Sequence, residues 1–165
     1  MKTLHSTILV LLLLVIGCDD QKAALADKFD KLQQQHDSIS QVHSKFKSIH
    51  GEMSQKHQEF ASKLEGMEIQ DSTVLEDVAK HEAILKKHDA LLAGHDEIFS
   101  AHEELRKGFG QKSAAEMEAQ LSEMMDTHKK LMEEHGNMEE EHEMMENEHE
   151  TIMAKLDSTN TNGSE

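Results

Sequence analysis

Residues 81–105 read HEAILKKHDALLAGHDEIFSAHEEL, with histidines at 81, 88, 95 and 102. The spacing is seven each time, close to two turns of an α-helix. An apolar residue stands three places after each one: Ile84, Leu91, Ile98 and Leu105. The pattern occurs twice more. His36, His43, His50 and His57 are followed by Ile39, Phe46, Met53 and Phe60. His128, His135, His142 and His149 are followed by Leu131, Met138, Met145 and Ile152. Only His5 stands outside the three sets. Random placement would align three such sets roughly once in 10^7 trials on heptad counting.

Composition fits long helices. The chain of 165 residues has no Pro and only eight Gly, so little interrupts a helix. Acids outnumber bases 33 to 17. That surface repels nucleic acid and attracts cations, which excludes a nucleic-acid role.

Three helices can be delimited. The first spans about 22–65 and stops at Gly66, a favoured residue just past a helix end. TVLE at 73–76 reads as a capping box and opens the second, about 74–107. GFG at 108–110 breaks it. SAAE at 113–116 is a second capping box and opens the third, about 114–156. Residues 158–165 are polar and expected to be disordered. Short breaks favour antiparallel neighbours. The fold class is all-α: an antiparallel three-helix bundle or coiled coil over 22–157, with histidines at heptad position a.

The residues three places on then take position d, completing an apolar seam. Val42 and Ile49 at g, and Leu85, Leu92 and Phe99 at e, are expected to widen the buried face. Beyond the histidines the a positions turn apolar: Phe29, Leu64, Val74, Phe109, Leu121 and Leu156. The twelve histidines therefore replace core residues along the middle of each seam.

A buried imidazole has two nitrogens to satisfy, and each unsatisfied one costs about 1–3 kcal/mol. Twelve unpaired rings would exceed the stability of a small domain, about 5–15 kcal/mol. They must bond to each other, to water or to something bound. Three imidazoles meeting on one axis form a metal site with an open fourth position. All twelve histidines are thus candidate metal ligands. Folding about the first loop pairs His57 with His81, His50 with His88, His43 with His95 and His36 with His102. Folding about the second favours layers 43/95/128, 50/88/135 and 57/81/142. A one-heptad shift of the third helix would give four complete layers instead. Opposing a to d, as antiparallel coiled coils often do, would weaken the convergence of three histidines.

With no thiolate in the bundle, zinc and copper are the expected ions. Methionines at d read as core filler rather than ligands. Glu82, Asp89, Asp96 and Glu103 follow the second set of histidines, and EEEHEMMENEHE lies at 139–150. Both read as solvated faces; the lesser alternative is support to the metal ligands for the four acids and loose cation binding for 139–150. A second reading is bis-histidine haem, disfavoured by the absence of C-x-x-C-H and by little core volume. A third is a coiled coil for structural or protein-partner roles, with histidines as polar or pH-sensitive layers. No nucleophile motif, phosphate loop or substrate pocket is legible, so no enzymatic activity is expected.

The N-terminus reads as an address. Lys2 precedes an apolar run from Ile8 to Ile16, too short to span a bilayer and suited to a signal peptide over 1–17. The run ends in LVIGC, with Gly17 before Cys18, the one cysteine of the chain. This resembles the lipobox of bacterial lipoproteins, with Ile16 a less usual residue in it. The resemblance implies cleavage before Cys18, its lipidation, and a tether over 18–21. It implies a protein held on a membrane in the cell envelope, facing periplasm or cell surface. Asp19 and Asp20 follow. In enterobacterial lipoproteins aspartate there implies inner-membrane retention; in Bacteroidetes-type lipoproteins an acidic cluster resembles a surface-export signal. Both stay open. The remainder is faintly similar to small coiled-coil lipoproteins of unknown function.

Overall fold

A computed structural model of the chain describes residues 2–67 and 72–162, with side chains over 20–67 and 72–157. The expected leader at 1–17, the lipidated Cys18 and the tail at 158–165 fall on side chains outside those described. The elements are α1 (Lys2–Glu65), α2 (Ser72–Gly108), a 3-10 turn at Phe109–Gln111, and α3 (Ala114–Asn162). No strand occurs among the described residues. The chain is an all-α three-helix bundle. Among the described residues no helix is long and apolar enough to cross a membrane.

The helix ends follow local chemistry. α1 stops before Gly66, where Met67 N–H donates to the Leu64 carbonyl at 3.0 Å. The box at 113–116 forms reciprocally. Ser113 N–H donates to Glu116 Oε2 at 2.8 Å, and Glu116 N–H to Ser113 Oγ at 3.4 Å. α2 begins at Ser72, so Thr73 lies inside its first turn rather than capping it.

Two compact units divide the chain, one of residues 1–40 and 97–131, the other of 41–96 and 132–165. Each contains a stretch of all three helices. In the second unit α1 and α3 run parallel and α2 antiparallel, as the order of its three histidine groups requires. The first unit has a cluster of Leu25, Phe29, Leu32, Phe109, Met117, Leu121 and Met124. Phe29 and Phe109 stack in it at 3.8 Å and 8°. In the second unit Phe46, Leu92 and Met138 form one apolar layer, and Met53, Leu85 and Met145 the next.

Those layers correct the heptad assignment on α2. Leu85 and Leu92, at e, are buried, whereas Ile84 and Leu91, at d, are only half-buried. The reason is direction. On α1 and α3 the level between two histidine layers lies three residues after a histidine. On an antiparallel helix the same level lies three residues before one. This lets a meet a meet a without mixing histidines into the apolar layers. Val42 and Ile49 are also corrected: they are 43% and 40% exposed and widen no buried face. Position g of α1 faces outward because the two partners already cover the a–d seam.

Candidate metal centres

The heptads bring the histidines into four groups of three: His36/His102/His128, His43/His95/His135, His50/His88/His142 and His57/His81/His149. The first lies wholly in the first unit and the other three in the second. All twelve rings are buried, none more than 9% exposed. The pairing of α1 with α2 is the one expected. The favoured register of α3 is not: α3 sits one heptad further, which completes all four layers. His149 joins His57 and His81 rather than standing alone, and His128 joins His36 and His102.

Each group offers ring nitrogens within 4.8 Å of one another. In the second unit the same atoms converge every time. Nδ1 from α1, Nδ1 from α2 and Nε2 from α3 face inward. His43 Nδ1 and His95 Nδ1 lie 3.0 and 3.3 Å from His135 Nε2. His50 Nδ1 and His88 Nδ1 each lie 3.1 Å from His142 Nε2. His57 Nδ1 and His81 Nδ1 each lie 3.2 Å from His149 Nε2. A tetrahedral ion with bonds of 2.0–2.1 Å to nitrogen sets its ligands about 3.3 Å apart. The spacing already fits one face of such a polyhedron.

Carboxylates fix the rings from behind. His43 Nε2 donates to Asp96 Oδ1 at 3.0 Å, and His50 Nε2 to Asp89 Oδ1 at 2.9 Å. His95 Nε2 donates to Glu134 at 2.8 Å, while His88 and His81 donate to Glu141 and Glu148. A neutral imidazole that donates from Nε2 keeps a bare lone pair on Nδ1. The acids therefore point lone pairs at the centre of the layer, the arrangement that metal-ligating histidines show. Asp89 and Asp96 are exposed, as a solvated face would have them, yet they also bond histidines; Glu141 and Glu148 within 139–150 are only half-exposed and belong to the layers. Glu134 went unremarked in the sequence. Its signal was present: glutamate directly precedes the α3 histidine at 134, 141 and 148.

Burial sets the charge state. It pushes His128, His135, His142 and His149 down to about 4, helped by the other rings of each layer. Burial also lowers His36, His43, His57, His88 and His102. At neutral pH these rings are neutral, as ligands must be. A hydrogen bond from Lys47 holds the Asp96 carboxyl below its usual range, keeping it anionic behind His43.

The layers are not finished hydrogen-bond networks. Nδ1 of His128, His135 and His142 is buried without a partner. Aromatic rings close two layers in the second unit. Phe46 stacks on His142 at 5.2 Å, and Phe60 on His149 at 4.0 Å. Met138 and Met145 lie in the apolar layers, so as core filler they match expectation. A surface cleft lined by Glu59, Glu146 and Glu150 reaches His149.

Each of the four histidine groups could hold a metal ion. No family model matches the chain, and no curated protein or solved structure matches it either.

Proposed function

We propose that this protein binds transition-metal ions, zinc or copper, through its histidine layers, and serves to buffer, deliver or sense them. One observation carries the reading. In two layers, two rings with carboxylates behind them aim bare nitrogens at the third ring, at metal-ligand spacing, and in the His57/His81/His149 layer His81 does so with Glu148 behind it. Purely structural polar layers would satisfy their rings, whereas three α3 rings keep a buried, unpartnered Nδ1. Haem fits poorly: nitrogens about 3 Å apart leave no slot for a macrocycle between them. The lipobox-like LVIGC adds an anchor at Cys18 and a place in a bacterial cell envelope. Catalysis is not part of the proposal.

The test is metal analysis of the full-length chain purified in mild detergent without chelators, with melting curves on adding Zn²⁺ or Cu²⁺. Up to four ions per chain are expected, one for each group. Each site is expected to add about 2.7 kcal/mol of stability at a hundredfold excess over its dissociation constant. A protein that takes up neither ion and melts at an unchanged temperature would sink the reading.

A further inference from the structure

The four groups share three histidines but not their surroundings. On α2 the residue after each histidine is acidic throughout: Glu82, Asp89, Asp96 and Glu103. On α3 the residue before each histidine is Glu134, Glu141 or Glu148 in three groups, and Thr127 in the fourth.

The α3 glutamates stand in the stronger position. Their side chains are 21%, 30% and 34% exposed, against 51% for Asp96 and 70% for Asp89. Water screens an ion pair less as it becomes buried. Each glutamate accepts from the Nε2 of an α2 histidine and so turns that ring's lone pair inward.

In the His36/His102/His128 group this device is missing. No carboxylate bonds His102 among the described residues, and Glu103 comes only within 3.9 Å of His36 Nε2. The Thr127 hydroxyl carries no charge; it donates to the Glu123 carbonyl at 2.8 Å, and among the described residues it makes no bond to His102. With no acceptor behind it, the His102 proton is free to rest on either nitrogen. His102 Nδ1 faces His36 Nδ1 at 3.4 Å, a nitrogen that also lies 3.3 Å from His128 Nε2, and no carboxylate behind His102 fixes its Nδ1 as the bare one. An ion entering here meets anionic charge only at longer range, from Glu103 and Asp37 near His36 and Glu123 near His102, none of them hydrogen-bonded to a ring.

We infer that Glu134, Glu141 and Glu148 are positioning residues that set metal affinity, and that Thr127 makes the His36/His102/His128 group the weak site of the four. This rests on the metal reading above and goes beyond it by ranking the sites. The ranking gives the chain one exchangeable ion alongside three firmly held ones.

The experiment is a Zn²⁺ titration of the full-length chain against a chromophoric chelator, which counts sites by affinity class. The unaltered chain is expected to show three tight equivalents and one weaker by about 10–100-fold, the range that partners of metal-bound histidines command. Thr127→Glu is expected to move the weak equivalent into the tight class. Thr127→Gln, which adds an acceptor without the charge, is expected to recover only part of that gain. Glu134→Gln, which keeps an acceptor and loses the charge, is expected to move one tight equivalent part of the way toward the weak class. A gain in affinity at Thr127→Glu is a readout that disturbed packing would not produce, and circular dichroism monitors the fold of each variant. Four equivalents of one class in the unaltered chain, or a weak equivalent unmoved by Thr127→Glu, would overturn the inference while leaving metal binding standing. A chain that binds no Zn²⁺ would overturn the metal reading itself.

Discussion

A histidine in a packed core stabilises only when both nitrogens are used. Here, in most α1 and α2 rings, the outward nitrogen goes to a carboxylate and the inward one faces the α3 ring, whose own Nδ1 is left without a partner in three groups. The metal-free protein therefore carries a strain of unmet polarity in its middle. Replacing His50, His88 and His142 together by Leu removes the buried, unpartnered Nδ1 of His142. The triple variant is expected to be more stable than the unaltered chain without metal, by about 1–3 kcal/mol, and to bind one ion fewer. Denaturant melts with and without Zn²⁺ check both halves. At this scale the ligands were legible and their supports were not. Twelve histidines at one heptad position leave no doubt about burial. Asp89, Glu141 and Glu148 occupy positions that an outward helix face also fills with acid, and spacing alone does not show a carboxylate bending back over a neighbouring helix.

At the scale of the helix, polarity decides which residues are core. α2 runs against α1 and α3, so its apolar contribution comes from Leu85 and Leu92 rather than Ile84 and Leu91. Leu92→Ala is expected to cost about 2–5 kcal/mol, whereas Val42→Ala, at an exposed position, should stay within about 0.5 kcal/mol. Thermal melts of the two variants without metal make the comparison. The number of helices and the pairing of α1 with α2 were readable, because Gly66 and a short connection constrain them. The register of α3 was misjudged, since sliding a helix by seven residues reproduces almost the same pattern. The apolar a positions held the missing information. Phe29, Phe109 and Leu121 meet in one cluster, and Leu64, Val74 and Leu156 in another. The favoured register would have set His149 against Leu64 and Val74 instead.

Taken whole, the molecule should respond to acid in one direction. The folded rings with depressed pKa stay neutral well below 6.5, while the unfolded chain binds protons there. Their contribution to stability is complete above about 6.5 and is lost as pH falls toward about 4. Denaturant midpoints measured at several values across that window are expected to fall steadily. Bound ions should be released over the same range, because protons compete for the same nitrogens. The net charge of −16 keeps cations concentrated at the surface from which the sites are filled. His36, His43, His50 and His57 each meet an α3 histidine 92 residues further along the chain. That constancy restricts how the gene could lengthen or shorten. One residue gained or lost inside a helix turns everything beyond it by about 100°, which would take whole layers out of the seam at once. Change in the connection at 66–71 leaves every layer intact, and within the helices only a matched heptad in all three adds or removes a site without disturbing the rest.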